Sequence, residues 1–198
     1  MEWPLLTNSK TIYTDWHKTF PGSGQGKQYP FLLDKILQHN KFADRNPRKK
    51  CHWHTLLDYG CGKGGTARWL RELIHRYPLE IDLYDPGHAD YKNTQLREQY
   101  DCVYSADVLE HIEREDLDAV IKHTQSLSAN NLHIIDLTPA KKRLPDGRNA
   151  HVTLLSVAEW QEVFDLSVEH SIEEMKTYSI PDPNFGKRER LCIHTKRW

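Results

Sequence analysis

The chain has 198 residues, of which 38% are hydrophobic and 28% charged, and its formal net charge is −1. This length is enough for one domain with a buried core, and the near-neutral charge excludes the global basic field of a dedicated nucleic-acid-binding protein. The amino terminus lacks the basic and apolar parts of a signal sequence, and no stretch is long and apolar enough to span a membrane. A cytoplasmic protein without membrane contacts is therefore expected.

The four cysteines show neither Cys-x-x-Cys pairs nor the spacing of a zinc site. They are Cys51, Cys61, Cys102 and Cys192, and the last three lie in apolar or glycine-rich segments. Because free cysteines of intracellular proteins are commonly small core residues, we expect buried thiols in a reducing compartment.

The first fifty residues are predicted to form an N-terminal arm and helix ahead of a domain that spans residues 51–198. Tyr13–Tyr29 is rich in aromatic residues and glycine, a composition typical of a lid with flexible hinges. Phe31–Gln38 has apolar residues at helical spacing, and Lys41–Lys50 has the composition of a charged connector.

From residue 54 onward, short apolar strands alternate with amphipathic helices. The predicted strands are His54–Tyr59, Ile81–Asp85, Asp101–Ser105 and Leu132–Leu137, and the predicted helices run from Ala67 to Pro78 and from Leu117 to Leu127. Strands that alternate with helices favour a parallel sheet covered by helices on both faces.

The carboxyl-terminal part departs from this alternation. Ser156–Glu159 has the sequence of a capping box and predicts a helix that continues to Phe164. Two strand-like runs follow, Leu166–Ile172 and Leu191–Thr195, and no helix separates them, so we expect them to pair antiparallel. The predicted fold is α/β, with a doubly wound, mostly parallel sheet that ends in an antiparallel hairpin.

A glycine-rich loop joins the first predicted strand to the helix that follows it. Glycines permit a tight turn, let a ligand approach the backbone, and leave the amide groups of a helix N-terminus pointing at that ligand. The loop fits two patterns. The first pattern is Gly60-x-Gly62-x-x-Gly65, the dinucleotide-binding fingerprint. The second pattern is Asp58 followed by Gly60-x-Gly62-x-Gly64. Either pattern alone is a weak signal.

The second pattern, combined with later features, resembles the class I S-adenosylmethionine-dependent methyltransferases. Asp85 ends the next strand, Asp107–Ile112 reads Asp-Val-Leu-Glu-His-Ile after a later strand, and a terminal hairpin is also typical of that family. The resemblance covers residues 54 to 195 and implies a Rossmann-like fold, S-adenosylmethionine as cofactor, and methyl transfer as the activity. Tyr84–Gly87 and Leu144–His151 also resemble a group of small, poorly characterised methyltransferases of bacteria and phages.

The same resemblance implies a set of cofactor-binding residues. They are Asp58, Tyr59, Gly60, Gly62, Gly64, Asp85, Ser105 and Asp107. Asp85 is expected to accept hydrogen bonds from both ribose hydroxyls, a task that suits a carboxylate. The alternative interpretation of Asp58 and Asp85 is that these carboxylates cap the loop.

One departure from the family concerns the interval between Asp85 and Asp101. This interval is too short for the helix and strand that the family usually places there, so one strand of the sheet is predicted to be reduced or missing. Adenine contacts made from that strand must then come from other residues, with His88–Lys92 and Ser105 as candidates.

The predicted catalytic residues are Glu110, His111 and His151. Glu110 and His111 follow a strand at the carboxyl edge of the sheet, where open α/β folds bind ligands, and His151 lies in the long segment Pro139–Ser156. We expect the three side chains to converge, with a histidine acting as base and without a resident metal. The alternative is a metal site of Asp107, Glu110, His111 and His151, which resembles that of small-RNA 2′-O-methyltransferases.

Methyl transfer to a small-molecule or sugar acceptor is the leading functional hypothesis. An RNA-directed methyltransferase is the alternative, and a non-catalytic cofactor-binding module is the third possibility. The motifs of DNA base methyltransferases do not occur in the sequence. The basic residues Lys141, Lys142, Arg143 and Arg148 form either a clamp for an anionic substrate or a solvated turn around Pro145-Asp146-Gly147.

Overall fold

The computed structural model of the chain describes residues 26–46, 52–165 and 170–197. These residues form four α-helices and six β-strands. The elements are α1 (Pro30–Arg45), β1 (Thr55–Tyr59), α2 (Gly65–Leu73), β2 (Glu80–Tyr84), β3 (Cys102–Ala106), α3 (Leu117–Leu127), β4 (Asn130–Asp136), α4 (Val157–Asp165), β5 (Ser171–Asp182) and β6 (Gly186–Lys196). Two short 3-10 turns, Leu109–His111 and Arg114–Asp116, connect β3 to α3.

All six strands belong to one sheet in the order β2-β1-β3-β4-β6-β5. β1 pairs in parallel with both β2 and β3, β3 pairs in parallel with β4, and β6 is antiparallel to both β4 and β5. This arrangement confirms the predicted α/β fold with its terminal antiparallel hairpin. It also confirms the reduced sheet, because the described segment between Asp85 and Asp101 contains no strand and β2 lies at the edge.

Successive side chains of the central strands point to opposite faces of the sheet, and each face has its own hydrophobic core. Leu57 and Tyr59 of β1 pack in the cluster that includes Trp160 of α4, whereas Leu56 faces the cluster that includes Leu32 of α1. Because both faces are covered, the parallel strands are nearly continuous runs of buried residues, as expected of a doubly wound sheet. The first described helix is therefore part of the core.

Several predicted boundaries were wrong. α1 continues to Arg45, into the predicted connector, because its buried Asn40 exchanges two hydrogen bonds with the backbone of Trp53 and so anchors a further turn. α2 ends at Leu73 and does not reach Pro78. β5 continues past Ile172 to Asp182 and β6 begins at Gly186, before Leu191, so both strands are longer than the predicted runs indicated. The length of β5 was not predicted because it is a half-exposed edge strand without a clear apolar run.

Three predictions fall on residues that the structure does not describe. Most of the predicted lid, Tyr13–Tyr29, precedes residue 26, and Cys51 and residues 166–169 also lie outside the described ranges. Cys61, Cys102 and Cys192 are free and buried, as predicted. None of the described helices is both long and apolar enough to cross a bilayer.

Candidate active site

The loop between β1 and α2 adopts a conformation that requires glycine. Gly60, Gly62 and Gly64 all have positive φ angles, of 77°, 54° and 69°. A Cβ atom at Gly60 would lie 2.6 Å from a methyl carbon of Val108, closer than real Cβ contacts permit. The backbone amide of Gly60 donates to the carbonyl oxygen of Tyr84 at 2.7 Å, so the loop is drawn against the end of β2.

Asp85 follows β2 and binds this loop directly. Its buried carboxylate accepts hydrogen bonds from the backbone amides of Gly62 and Gly87, both at 2.8 Å. This is the loop-capping contact that the sequence left as an alternative. Each carboxylate oxygen has a second lone pair, so the contact is compatible with acceptance of ribose hydroxyls.

Asp58 is the penultimate residue of β1, and it is almost fully enclosed. Burial raises the pKa of Asp58 to about 7, although the nearby Tyr104 hydroxyl opposes the change. Its Oδ2 atom has no hydrogen-bond partner among the described residues. A buried, unsatisfied carboxylate oxygen is costly for the protein alone and fits a donor group of a bound ligand.

Two of the predicted cofactor residues have side chains that point into the core. The hydroxyl of Tyr59 lies 2.8 Å from Nδ1 of His123 in the buried layer below α3. The hydroxyl of Ser105 lies 2.8 Å from Nδ1 of His133 and is fully enclosed. Both hydroxyls therefore have partners in the core, and a contact of either residue with the cofactor stays a prediction.

Asp107 has a left-handed backbone conformation, with φ of 54°, and a carboxylate held by two cations. Arg190 Nη1 lies 2.8 Å from Asp107 Oδ1, and the ammonium group of Lys27 contacts the other oxygen. Although burial opposes it, the charges of Arg190 and Lys27 lower the pKa of Asp107. Arg190 is itself buried and also lies 3.6 Å from Asp136.

The contacts around Asp107 involve residues that were not predicted from the sequence, namely Lys27, Arg190 and Asp136. Arg190 does carry a sequence signal, since it directly precedes the apolar run Leu191–Ile193 of β6, and a charge that is buried with such a run needs an acidic partner. Lys27 follows a glycine-rich segment and gives no such signal. Its backbone exchanges hydrogen bonds with the hydroxyl of Thr66, which ties residue 27 to the start of α2.

Glu110, His111 and His151 lie together beside the glycine loop. One potential ligand atom from each residue falls within 4.8 Å of the others, and the rings of His111 and His151 meet edge to face with centroids 4.8 Å apart. Val108, whose side chain covers Gly60, directly precedes the 3-10 turn that carries Glu110 and His111. Along the chain, Glu110 and His111 thus follow within three residues of the side chain that covers the glycine loop.

Asp107 is not part of this cluster, although it precedes the same turn. Its carboxylate is engaged by Arg190 and Lys27, and only Glu110, His111 and His151 meet among the described residues. The alternative metal set from the sequence has four residues, and the structure brings three of them together.

Hydrogen bonds to the backbone fix both histidine rings of the cluster. Nδ1 of His111 donates to the carbonyl oxygen of Ala150 at 2.7 Å, and Nδ1 of His151 donates to the carbonyl oxygen of Thr138. A carbonyl can only accept, so the proton of each neutral ring is on Nδ1 and the lone pair is on Nε2.

Glu110 is fully buried. Its Oε1 accepts a hydrogen bond from the backbone amide of Asp136 at 3.0 Å, whereas Oε2 has no partner among the described residues. Burial, together with the charge of Asp107, raises the pKa of Glu110 well above its usual value. Burial lowers the pKa of His111, and burial with the neighbouring His111 lowers the pKa of His151 to about 3. Both rings are consequently neutral and able to offer a lone pair at neutral pH.

The basic residues of the segment Pro139–Ser156 mostly have partners within the chain. Lys141 lies 3.1 Å from Asp182, and the guanidinium group of Arg143 donates to the carbonyl oxygen of Gly147. Arg148 contacts Glu113 and Asp146, both at 2.8 Å. These contacts favour the interpretation of this segment as a self-paired turn.

A Rossmann-like sheet with a left-handed glycine loop, an acid at the end of β2 and a terminal antiparallel hairpin defines the class of S-adenosylmethionine-dependent methyltransferases. A family model described as a methyltransferase domain matches residues 27–179, and the chain belongs to this family. It is an enzyme, and S-adenosylmethionine is its methyl donor. No curated protein sequence matches the chain.

Solved structures share the fold at low sequence identity. The 1,6-didemethyltoxoflavin-N1-methyltransferase of Burkholderia thailandensis, with bound 1,6-didemethyltoxoflavin and S-adenosylhomocysteine, is 11% identical with a TM-score of 0.58, over 100% of this chain and 93% of that one. The plantazolicin methyltransferase BpumL, in complex with S-adenosylhomocysteine, is 10% identical with a TM-score of 0.53, over 96% and 95%. The mitomycin 7-O-methyltransferase MmcR is 11% identical with a TM-score of 0.52, over 97% and 69%.

Proposed function

We propose that the protein transfers the methyl group of S-adenosylmethionine to a small-molecule acceptor, such as a sugar or another hydroxyl compound. The observation that carries this proposal is the pairing of the basic side chains near the cluster. Lys141 and Arg148 pair with carboxylates of the chain, and Arg188 and Arg190 do the same with Asp136 and Asp107. A polymer-binding surface needs cations that are available to phosphates.

The structural neighbours give secondary support. Toxoflavin and mitomycin methyltransferases act, by their names, on compounds of low molecular weight, and both share the fold of this chain. RNA-directed methyl transfer is the second candidate and is kept as an outcome of the test, because the cluster has the residue types of a site that holds ribose hydroxyls.

In this proposal the cofactor lies over the glycine loop. Asp58 and Asp85 with the glycines contact its methionine and ribose parts, and Tyr59 and Asp107 contribute through their backbones, since their side chains have other partners. His88 and Tyr91 lie in the segment after β2, where the family usually has a further strand, and the Tyr91 hydroxyl is close to Gly64. Their stacked rings are candidates for the adenine contact.

The cluster of Glu110, His111 and His151 forms the acceptor side, where the acceptor loses its proton. Its position one turn after Val108, which packs on Gly60, supports this assignment. Methyl transfer from a sulfonium needs little more than in-line positioning and loss of that proton. In the same proposal, the N-terminal arm and helix of residues 1–50 and the methyltransferase domain of residues 51–198 form a single compact domain overall. A cytoplasmic location completes the proposal, and the buried free thiols support it.

The test supplies the protein with S-adenosylmethionine carrying a deuterated methyl group. One arm offers a library of hydroxyl-bearing small molecules that includes sugars, and the other offers total RNA, with S-adenosylhomocysteine release and product mass as readouts. We expect labelled small molecules and at least a hundredfold slower turnover in His151→Ala, in line with the usual contribution of acid–base groups.

The control is His75→Ala, since His75 is exposed and follows the C-terminal end of α2, the end opposite the glycine loop. It should react like the natural protein. Labelled RNA with no labelled small molecule would replace the proposed acceptor with the second candidate. Unaltered turnover in His151→Ala would remove the cluster from the reaction.

A further inference from the structure

We propose that Glu110, His111 and His151 bind a divalent transition-metal ion at the acceptor side of the active site. The inference rests on the proposed function only in naming that side. The binding of the ion itself follows from the three side chains and their supports, and it can be tested without any acceptor.

The two histidines are oriented as metal ligands. Each ring donates Nδ1–H to a backbone carbonyl oxygen, that of Ala150 for His111 and that of Thr138 for His151. Ligating histidines almost always make such a second hydrogen bond, because it fixes the tautomer and raises the basicity of the other nitrogen. Asn149 supports this loop further, since its side chain accepts from the backbone amides of Ala140 and His151.

Glu110 provides the independent observation. Its side chain is fully buried, one oxygen is fixed by the amide of Asp136, and the other has no partner among the described residues. Buried polar atoms of native proteins are almost always satisfied, so this oxygen needs a polar partner or a cation. A cation held jointly with two imidazoles satisfies it and offsets the cost of burying the carboxylate.

The spacing suits a small ion that retains an open coordination position. The three potential ligand atoms lie within 4.8 Å of one another, and ligands of a tetrahedral ion with bonds of about 2.0 Å are about 3.3 Å apart, so the three atoms must approach one another by up to about 1.5 Å as the ion binds. Two histidines and one glutamate are a known catalytic zinc set, which leaves one position for an exogenous oxygen. His111 is only half-buried, so the ion has a path from solvent.

The donor atoms indicate the class of ion. Imidazole nitrogens favour zinc and its neighbours over magnesium and calcium, which prefer shells of oxygen alone. Asp107 could have added a second carboxylate and shifted this preference towards magnesium, but Arg190 and Lys27 occupy it.

The ion would act on the acceptor hydroxyl in the open position. Coordination lowers the pKa of a bound hydroxyl group, whose proton leaves to water. A lone pair of the resulting oxygen forms a bond to the methyl carbon while the bond from that carbon to sulfur breaks and its electron pair stays on sulfur. The products are the methyl ether, S-adenosylhomocysteine and one proton, so that atoms and charge balance.

The experiment titrates metal-free protein with Co²⁺, whose visible absorption reports coordination by nitrogen and oxygen ligands in a protein site. We expect one intense spectrum that saturates with a single ion per chain and disappears on competition with Zn²⁺. His111→Ala and His151→Ala should each weaken Co²⁺ binding at least about tenfold, since even loss of a supporting contact costs that much. Glu110→Gln, which keeps the shape but not the charge, should weaken it as well.

His75→Ala controls for binding by exposed histidines, and calorimetric binding of S-adenosylhomocysteine shows that each variant is folded. A natural protein that gives no such spectrum, or a spectrum that survives in His151→Ala, would overturn the metal site and leave a histidine as base. Loss of S-adenosylhomocysteine binding with an intact Co²⁺ spectrum would instead count against the proposed function.

Discussion

At the scale of single residues, the site depends on positions where the backbone leaves no choice of side chain. Gly60 lies at φ of 77° with Val108 packed where a Cβ would be, while Gly147 has a similar φ of 87° and open space around it. Both glycines have a left-handed backbone conformation, but only Gly60 has a neighbouring side chain where a Cβ atom would be. Substitution of each one therefore distinguishes the cost of a left-handed backbone from the cost of crowding the cofactor loop.

We expect Gly60→Ala to weaken the binding of S-adenosylhomocysteine at least about tenfold, which corresponds to about 1.4 kcal/mol. The added methyl group must displace Val108 or distort the loop that holds the ligand. Gly147→Ala carries the same left-handed strain, of roughly 1–2 kcal/mol, without the collision, and should bind as the natural protein does. Calorimetry on both variants decides the matter, and equal affinities would mean that the contact with Val108 is unimportant.

At the scale of elements, the sequence predicted those that carry a strong local signal. The strands β1 to β4 are short apolar runs that a parallel sheet buries on both faces, and their positions were predicted within two residues. β5 was placed poorly because its residues alternate between half-buried and exposed along an edge, so no apolar run marks it. Its length follows from pairing with β6, which is a tertiary contact that local patterns do not contain.

The start of α4 gives a prediction at this scale. The hydroxyl of Ser156 accepts a hydrogen bond from the amide of Glu159 at 3.3 Å, and the carboxylate of Glu159 accepts one from the amide of Ser156 at 2.7 Å. Ser156→Ala should lower the free energy of unfolding by about 1 kcal/mol, the usual value for a lost N-cap. Glu159→Gln keeps the reciprocal acceptor and should cost less. Urea denaturation measures both, and a larger loss in Glu159→Gln would show that charge outweighs capping.

At the scale of the whole molecule, the site is formed by side chains from distant parts of the chain, and only some of their contacts follow from the sequence. Glu110 and His151 were predicted because both belong to segments at the carboxyl edge of a parallel sheet, where the topology brings ligands together. The contacts of Asp107 could not be predicted in this way, because Lys27 and Arg190 come from opposite ends of the chain. The hydroxyl contacts of Tyr59 and Ser105 were not predicted either, because a motif gives the position of a residue and not the direction of its side chain.

The two-sided core also makes the protein sensitive to acid. His133 of β4 is completely buried against Phe164, with its Nδ1 atom 2.8 Å from the hydroxyl of Ser105. Burial, reinforced by His170 and His194, lowers the pKa of His133 to about 3. A histidine whose pKa is lower in the folded than in the unfolded chain stabilises the fold above its unfolded pKa, and that contribution is lost as the pH falls towards the folded value.

We therefore expect the natural protein to lose stability between about pH 6.5 and pH 4 more steeply than His133→Gln, which cannot take up this proton. The difference approaches about 1.4 kcal/mol per pH unit, the value for one proton, so the gap between the two proteins should change by roughly 3 kcal/mol over that range. Urea denaturation of the ligand-free proteins at several pH values measures it. His75→Gln, at an exposed histidine, should follow the natural protein throughout. Parallel curves for the natural protein and His133→Gln would show that His133 is protonated in the folded state or that its environment opens before it titrates.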